Sequence, residues 1–493
     1  MSGSFEIVLP AVILMTGAFV IYLVSRILAV NNHLEAVFAV VVMAATLISL
    51  ISQFVSLPGL VSKPEDYFGI SGPDGIVLTY STVGMFIMIV SLIITILITI
   101  FSGEYLSRDP RYLVYYPLIL LTQAGLYGIF ISNNLFNLFL LMELTTVAAS
   151  ALIAFRFQQE IAIKAGYKYL IMSSLGTMVM LLGIYFLFRS NGSMQLTQVL
   201  ASPDRLSKVA AACFLLGFSL KAGVFPLHTW VPDVYGNAPS AISGLLAGVF
   251  SKSMLFILPV VCLRLGMTRG ELGTYLMAFA CFNMLIGSIR MLGVDQLRRF
   301  LSYSAIAQTG YLMFGLGIGF YYDLDQAFSA SLFMFLVIAI MKCLAFLASG
   351  VYQFYYGTQD MEKLRGAGRD MPWIALCFSI GLAGLAGIPL LAGFTGKWMI
   401  FSAALATGDL FSILCLVIFL ISTVIGLGGY LPVLVKQYIS SAEPTLNFPS
   451  LNGKVSMWLI IPITLLSFLV ISIGVFPTPW IDLVNYVMRW MSL

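Results

Sequence analysis

Long apolar stretches, separated by short polar connections, follow one another along almost the whole chain. A helix needs roughly 20 apolar residues to cross the hydrocarbon core of a bilayer, and by that measure the pattern predicts about fourteen membrane spans. The predicted spans are 5–28, 35–56, 76–101, 111–131, 133–155, 164–189, 207–230, 239–265, 271–291, 299–320, 326–353, 372–404, 410–436 and 456–477. The longest polar stretches between them are 57–75, 355–371 and 437–455. The sequence therefore predicts an all-α polytopic membrane protein.

The seventh predicted span contains residues that a continuous helix does not tolerate. Pro226 follows shortly after Lys221, and His228 and Asp233 add polar side chains close behind. Proline removes a backbone donor and disrupts the helix, and in a membrane such a break persists only inside protein or beside a watery cavity. We therefore expect the helix to break after Lys221. His228 is then either a proton relay or a side chain that hydrogen-bonds the backbone, and Asp233 and Pro226 support the break.

A second interruption lies in the twelfth predicted span, where several glycines and Pro389 precede Lys397. If spans 4–8 and 9–13 are equivalent five-helix units, each break falls in the fourth helix of its unit. An odd number of helices per unit inverts the second unit relative to the first, and paired broken helices mark the transport site of inverted-repeat transporters. The predicted units are an N-terminal three-helix segment, two repeats and a C-terminal helix, at 1–101, 111–265, 271–436 and 456–493.

Composition excludes several classes of protein. Hydrophobic residues make up 60% of the chain and charged residues only 9%, whereas soluble domains carry roughly 25% charged residues. The net charge of +4 is small for 493 residues and does not indicate a nucleic-acid surface. Six cysteines form no CxxC pair, and histidine occurs only at His33 and His228. These residues do not suit haems, iron–sulfur clusters or another metal site, so we expect no cofactor in this chain.

Five ionisable side chains fall well inside the predicted spans, and they are Glu143, Lys221, Lys252, Lys342 and Lys397. An ionised group at the bilayer centre costs about 2.5–3.5 kcal/mol, so five of them facing lipid would cost on the order of 15 kcal/mol. They are therefore expected to face the interior of the bundle, a water-filled cavity or one another. The alternative is that each makes a purely structural contact between helices. Together the five residues indicate an ion pathway.

Several long motifs resemble one family. They are KAGVFPLHTWVPDVYGNAP from Lys221, LLMEL around Glu143, DQLRRFLSYSAIAQTGY at 295–311, MKCLAFLASG at 341–350 and GIPLLAGFTGK at 387–397. These motifs resemble the antiporter-like membrane subunits shared by respiratory complex I, membrane-bound energy-converting hydrogenases and multisubunit cation/proton antiporters. The resemblance implies a fourteen-helix fold with inverted five-helix repeats and a charged axis at the bilayer midplane.

The resemblance also implies roles for individual residues. Glu143 matches the glutamate of the fifth helix, and Lys221, Lys252, Lys342 and Lys397 match family positions in the seventh, eighth, eleventh and twelfth helices. The chain departs from the family at Gln308, where many members have histidine, so proton transfer there needs water or another side chain. The chain also ends soon after the fourteenth span, without the lateral helix of the longest members, which places it among the shorter subunits.

A mechanism follows from the chemistry of a buried amine. An amine removed from water gives up its proton more readily, and a nearby carboxylate opposes that loss. The hypothesis is that Glu143 holds Lys221 partly charged, and that water then carries the proton through Lys252 and Lys342 to Lys397. Arg298 and Arg299 are interpreted as ordinary charges of an inside loop.

The leading prediction is a proton-translocating subunit of a larger redox-driven membrane complex. The alternative is a subunit of a multisubunit Na⁺/H⁺ antiporter; an enzyme that itself reduces a quinone, or a scaffold with vestigial charges, is disfavoured. Expected partners are other membrane subunits, including further antiporter-like ones, and the lipid bilayer. The transported ion is the proton, or alternatively Na⁺.

The first span lacks the features of a cleaved signal peptide and is expected to be retained. Lysine and arginine in the loops favour both termini on the outside of a prokaryotic cytoplasmic membrane.

Overall fold

The computed structural model describes residues 6–28, 31–60, 68–69, 77–79, 81–107, 109, 112–196, 204–439 and 455–489. Nearly all of these residues are helical. The helices are α1 (Leu9–Leu28), α2 (Asn32–Leu60), α3 (Thr82–Tyr105), α4 (Tyr115–Ile131), α5 (Leu135–Ile153), α6 (Glu160–Asn191), α7 (Arg205–Ala222), α8 (Val231–Asn237), α9 (Ser240–Leu245), α10 (Ser251–Arg264), α11 (Arg269–Met291), α12 (Leu297–Tyr322), α13 (Asp325–Tyr356), α14 (Ala367–Asp370), α15 (Pro372–Ala386), α16 (Ala392–Ala406), α17 (Leu410–Lys436), α18 (Met457–Val475) and α19 (Thr478–Arg489). Short 3₁₀ turns occupy Tyr112–Val114 and Leu227–Trp230. Much of the predicted polar stretches 57–75 and 437–455 lies outside the described residues.

Two features differ from the sequence prediction. Strands β1 (Phe68–Gly69) and β2 (Val77–Leu78) pair antiparallel in a two-stranded hairpin within the connection after α2. The C-terminal segment contains two helices where the hydropathy pattern predicted one, because the short helix α19 follows α18. Helix α19 is only 12 residues long and contains a proline, an asparagine and two charged residues, so a search for long apolar stretches missed it.

Eleven helices within the described residues are long and apolar enough to cross a membrane. Two further helices, α4 and α15, are apolar but shorter. Helix α12 carries Arg298 and Arg299 in its first turn and does not belong to the eleven. The protein is therefore an integral membrane helical bundle, and the count of fourteen spans stays a prediction.

Helix α13 forms the centre of the bundle. Every residue of its most apolar 18-residue window is buried, and it packs against α3, α9, α12, α15, α16, α18 and α19. By contrast, α6 leaves an apolar stripe uncovered, with Ile171, Leu175, Met178 and Leu182 each about half exposed. Spacings of three and four residues place these four on one face of α6. An uncovered apolar face is suited to lipid or to a neighbouring subunit, whereas α13 is surrounded by protein.

Both predicted interruptions of a helix are present. Helix α7 ends at Ala222 and is followed by Gly223 at φ +71°, and α15 ends at Ala386 and is followed by Gly387 at φ +88°. A left-handed glycine is a common way to end a helix, because it lets backbone N–H groups cap the last free carbonyls. Each break continues through a proline, Pro226 or Pro389, before a further helical segment begins. Residues beyond the breaks therefore leave the axis of the first half-helix.

The eighth predicted span is also irregular, which the hydropathy pattern did not indicate. Helix α9 passes through a π-helical turn, Leu246–Phe250, into α10. A π turn widens the backbone locally and is frequent at functional sites. This one ends directly before Ser251 and Lys252.

Candidate ion-translocation axis

The first part of the axis lies between α5, α6 and the end of α7. The Lys221 amine donates to the hydroxyl oxygens of Thr146, at 2.8 Å, and Ser173, at 2.7 Å. These two hydroxyls are also hydrogen-bonded to each other, at 3.0 Å. One turn away, Thr177 of α6 donates to the carboxylate of Glu143. Because Glu143 and Thr146 are three residues apart and Ser173 and Thr177 four apart, each pair shares a helix face.

The expected influence of Glu143 on Lys221 does not act through a direct ion pair. No ion pair within 4.0 Å joins them among the described residues, although the carboxylate lies close enough to act electrostatically on the amine. Three hydroxyl side chains occupy the space between α5 and α6 at this level. Sequence spacing within one helix cannot show this, because the hydroxyls come from two helices.

The second part of the axis is built on α12. Lys252 donates to the Ala305 carbonyl at 3.2 Å, and Lys342 donates to the Leu301 carbonyl at 3.1 Å and to the Ser304 hydroxyl. The two carbonyls are four residues apart, which is about 6 Å along a helix. Lys342 is fully buried and Lys252 nearly so, and the two amines interact electrostatically. Helix α12 therefore brings together two lysines that are 90 positions apart in the sequence.

The third part lies at the break after α15. Lys397 of α16 reaches back and donates to the carbonyls of Leu385, at 3.2 Å, and Ala386, at 3.0 Å. These carbonyls belong to the last turn of α15, where the helix dipole favours a positive charge. The amine also lies 4.9 Å from the centre of the Tyr311 ring of α12. Gln308 of α12 donates to the same Leu385 carbonyl, at 3.3 Å, and so joins α12 to the break.

Packed aromatic side chains connect the first part to the second. Tyr169 lies one turn before Ser173 on α6, and Ser173 holds Lys221. The Tyr169 ring packs edge-on against Trp230, and Trp230 packs in turn against Tyr235 of α8. The Tyr235 hydroxyl bonds Ser251, the residue next to Lys252. Polar side chains thus lie between Lys221 and Lys252 in an otherwise apolar interior.

The two polar residues predicted to support the break, Asp233 and His228, lie apart from the contacts that hold the four lysines. Asp233 forms ion pairs with Lys168 of α6 and Arg299 of α12, and all three are partly exposed. His228 is half-buried, its Nδ1 atom has no hydrogen-bond partner in the described part of the chain, and its ring lies 5.7 Å from that of Phe225. No hydrogen bond or ion pair of the described residues joins Asp233 or His228 to the four lysines of the axis. Asp233 thus ties the segment after the break to α6 and α12.

The interpretation of Arg298 as a loop charge is wrong. Its side chain is only 3% exposed, and its guanidinium donates to the Ala238 carbonyl at the end of α8. Residues 298, 301, 305 and 308 are spaced by three and four, so they share the buried face of α12. That spacing is the signal that would have placed Arg298 inside. Glu35, in the first turn of α2, is also fully buried.

Comparison with known proteins identifies the family. The model of the family described as "NADH:quinone oxidoreductase/Mrp antiporter, TM" matches residues 132–426. The chain belongs to this family of membrane subunits. The matched segment contains Glu143 and all four lysines of the axis.

Individual relatives come from two kinds of family member. NADH-quinone oxidoreductase subunit N 2 of Acidobacterium capsulatum is 28% identical over 517 residues, covering 99% of both chains. A subunit of the Na(+)/H(+) antiporter of Alkalihalophilus pseudofirmus is 29% identical over 338 residues, covering 67% of this chain and 68% of the relative. A chain of the membrane-bound sulfane sulfur reductase, an archaeal respiratory membrane complex, superposes with a TM-score of 0.87 at 25% identity, covering 98% of this chain and 97% of that chain. Antiporter-like family members from redox complexes and from antiporters are thus both similar to this chain.

The arrangement gives this family member buried amines held only by neutral acceptors. Lys252, Lys342 and Lys397 each donate to backbone carbonyls, and no carboxylate pairs with them among the described residues. A carbonyl or hydroxyl compensates only part of the cost of burying a charge. Such an amine is able to release and regain a proton with a small change in its surroundings, as a relay requires.

Proposed function

We propose that the chain is a proton-translocating subunit of a larger redox-driven membrane complex. Protons move laterally between Glu143 and Lys221 at one end of the axis and Lys397 at the other. Lys252 and Lys342 carry them between the two breaks. The chain itself is proposed to hold no redox centre, because electron transfer takes place in partner subunits.

One observation carries the proposal. Three lysine amines are buried in the bundle around α12, which supplies the carbonyls that Lys252 and Lys342 donate to and the Tyr311 ring beside Lys397. A structural salt bridge would pair each amine with an acid, since an unpaired buried charge is costly. Buried amines without acid partners would destabilise a protein that served only as a scaffold. They are suited to groups that change their charge during each transport cycle.

The family relationship supports the finer features of the fold. We propose fourteen spans, with inverted repeats at 111–265 and 271–436 between the N-terminal segment 1–101 and the C-terminal segment 456–493. The two breaks support the repeats, because Ala222–Gly223 and Ala386–Gly387 have the same residues, the same left-handed turn and a following proline. In the first repeat the lysine precedes the break, and in the second it follows the break and reaches back.

The surface around Glu143 supports a partner subunit. Glu143 is only half-buried although it lies in the middle of α5, and Leu140 and Val147 on the same helix are about half exposed. A carboxylate at membrane depth is costly in lipid. We propose that another antiporter-like subunit covers this face of α5 and α6.

The chain is further proposed to lie in a prokaryotic cytoplasmic membrane with both termini outside, in accordance with the excess of positive charges in the predicted inside loops.

The Na⁺/H⁺ antiporter remains the second candidate. The similarity to the antiporter relative of Alkalihalophilus pseudofirmus favours it. The similarity to the NADH-quinone oxidoreductase relative of Acidobacterium capsulatum extends over 99% of both chains, and the match to the antiporter relative covers about two-thirds of each. Coverage therefore favours the redox complex.

The deciding experiment is purification of the complex through a tag on this chain, followed by identification of its subunits. Subunits with iron–sulfur clusters, nickel or flavin support the redox complex, and a complex of small membrane subunits alone supports the antiporter. Proton uptake by vesicles that contain the complex then tests the axis with Lys397→Met. The expected result is loss of proton uptake with normal assembly.

The matched control is Lys363→Met, which makes the same substitution at an exposed residue outside the axis. This variant is expected to transport protons as the wild type does. Wild-type transport by an assembled Lys397→Met variant would mean that the charges of the axis are vestigial.

A further inference from the structure

The hydroxyl groups of Ser304 and Tyr430 are bonded to each other in the core. Ser304 lies on α12 and Tyr430 on α17, 126 positions apart. Ser304 is fully buried and Tyr430 is 3% exposed. The same serine hydroxyl accepts a hydrogen bond from the amine of Lys342. The hydroxyls of Ser304 and Tyr430 thus form a chain that starts at the amine of Lys342.

The lysine fixes the direction of the first of these hydrogen bonds. A protonated amine only donates, so Ser304 accepts from Lys342, whereas either hydroxyl can donate in the bond between Ser304 and Tyr430. In the arrangement in which Ser304 donates to Tyr430, Tyr430 keeps its own hydrogen to donate onward, and all donors point away from Lys342.

Gln308 lies four residues after Ser304, so the two share one face of α12, and Tyr430 contacts that face at Ser304. The Oε1 atom of Gln308 is buried and has no hydrogen-bond partner among the described residues. The Nε2 atom of the same amide donates to the Leu385 carbonyl at 3.3 Å, and Lys397 donates to that carbonyl at 3.2 Å. Tyr430 therefore stands between the surroundings of Lys342 and those of Lys397.

We propose that Tyr430 relays protons between Lys342 and Lys397, with Gln308 as a positioning residue. The proposal rests on the proposed function as a proton-translocating subunit. The Gln308 amide cannot itself take up a proton near neutral pH. The Tyr430 hydroxyl supplies the exchangeable proton that glutamine lacks.

The transfer leaves no hydroxyl charged. An N–H bond of the Lys342 ammonium breaks as an O–H bond forms on Ser304, and the original Ser304 proton passes to Tyr430. The original Tyr430 proton passes to a water molecule held by Gln308 and the Leu385 carbonyl, and a proton of that water passes to the neutral amine of Lys397. Lys342 ends neutral and Lys397 ends charged, and rotation of the two hydroxyls resets the chain.

The ring of Tyr430 has a separate packing role that a phenylalanine would keep. It packs edge-on against Phe300 of α12, with ring centres 5.5 Å apart. Tyr430→Phe thus removes only the oxygen from a site that stays filled. The matched control is Tyr352→Phe, because Tyr352 is buried on α13, the helix of Lys342, and donates its hydroxyl hydrogen to Gln437, away from the lysines.

The test is proton uptake by vesicles containing the whole complex, at equal amounts of assembled complex. Tyr430→Phe is expected to lower the uptake rate by about a hundredfold, because a positioned proton-transfer group contributes a factor of about 10² or more. Tyr352→Phe is expected to match the wild type. Ser304→Ala interrupts the same chain from α12 and is expected to show the same loss, which provides a second variant should Tyr430→Phe fail to assemble.

Rescue separates a relay from a structural role. Adding Gln308→His to Tyr430→Phe places a titratable group beside Lys397 and is expected to restore uptake to within about threefold of the wild type, because imidazole carries protons near neutral pH. Wild-type uptake by Tyr430→Phe or Ser304→Ala overturns the inference, as does an equal loss in Tyr352→Phe or a failure of rescue.

Lys342→Met reports on the proposed function itself. If it pumps normally, the proposed function fails, whereas a defective Lys342→Met beside a normal Tyr430→Phe contradicts the relay alone.

Discussion

Gln308 and Lys397 donate to the same acceptor, the Leu385 carbonyl, at 3.3 Å and 3.2 Å. Leu385 lies in the last turn of α15, before the break at Gly387. A carbonyl that ends a helix has no partner further along the backbone, so side chains are free to use it. The break therefore creates the acceptor that fixes Lys397 next to α12.

The first prediction concerns the turn at Gly387. An alanine methyl group there would lie 3.1 Å from Cδ and 3.2 Å from Nζ of Lys397, and the residue has φ +88°. We expect Gly387→Ala to displace the amine and to lower the proton-uptake rate by about tenfold, equivalent to about 1.4 kcal/mol. Gly408→Ala is the control, because Gly408 also has positive φ but has no described atom within 4 Å of the added carbon. Equal transport by the two variants would show that the position of Lys397 is unimportant.

The second prediction concerns the stability cost of Lys252. Its buried amine has one carbonyl acceptor and no acid partner among the described residues. Burying an amine whose acceptor is a single carbonyl costs free energy that an apolar side chain of similar volume does not cost. We expect Lys252→Met to raise the thermal unfolding temperature of the purified complex while abolishing proton uptake.

Lys208→Met is the control for this experiment, since Lys208 is exposed. Its effect on unfolding is expected to stay within about 0.5 kcal/mol. A lower unfolding temperature for Lys252→Met would mean that the amine makes favourable contacts that outweigh its burial.

The third prediction concerns the hydroxyl that bonds Glu143. Thr177→Val keeps the shape of the side chain and removes the donor to the carboxylate. A hydrogen bond to a charged group is worth about 1.5–3 kcal/mol, so the proton balance between Glu143 and Lys221 should shift and uptake should fall by about tenfold. Thr145→Val is the control, because the Thr145 hydroxyl donates to the Met142 carbonyl of its own helix, at 2.8 Å. A normal rate for Thr177→Val would exclude Thr177 from the pathway.

The fourth prediction concerns Asp233, which holds α6 and α12 through Lys168 and Arg299. The three side chains are partly exposed, so each pair should contribute no more than about 1 kcal/mol. We expect Asp233→Asn to lower the unfolding temperature slightly and to leave proton uptake within about twofold of the wild type. A double-mutant cycle with Arg299→Met measures the pair directly. Complete loss of uptake in a stable Asp233→Asn variant would instead make Asp233 a relay.

The sequence predicted the breaks after Lys221 and before Lys397 because glycine and proline act on their own stretch of backbone. It did not predict the π turn before Lys252, since the residues Leu246–Phe250 are as apolar as those of a regular helix. The sequence predicted that Glu143 acts on Lys221, but it did not predict the α6 hydroxyls of Ser173 and Thr177 that bond the two side chains. Arg298 shows that a charge beside a loop can point inward, and only the neighbouring end of α8 explains where it goes.

The sequence by itself determined that the chain is a membrane helical bundle with amines and a carboxylate inside its spans. Hydropathy is a property of local stretches, and a charge in an apolar stretch has to be shielded wherever the fold puts it. Tertiary structure alone decided which groups shield those charges. The partners of Lys221 are 75 and 48 positions away, and Ser304 and Tyr430 are 126 apart. Contacts over such separations depend on how helices pack, and the packing of α12 against α13 and α17 is what gives Lys342 a hydroxyl neighbour.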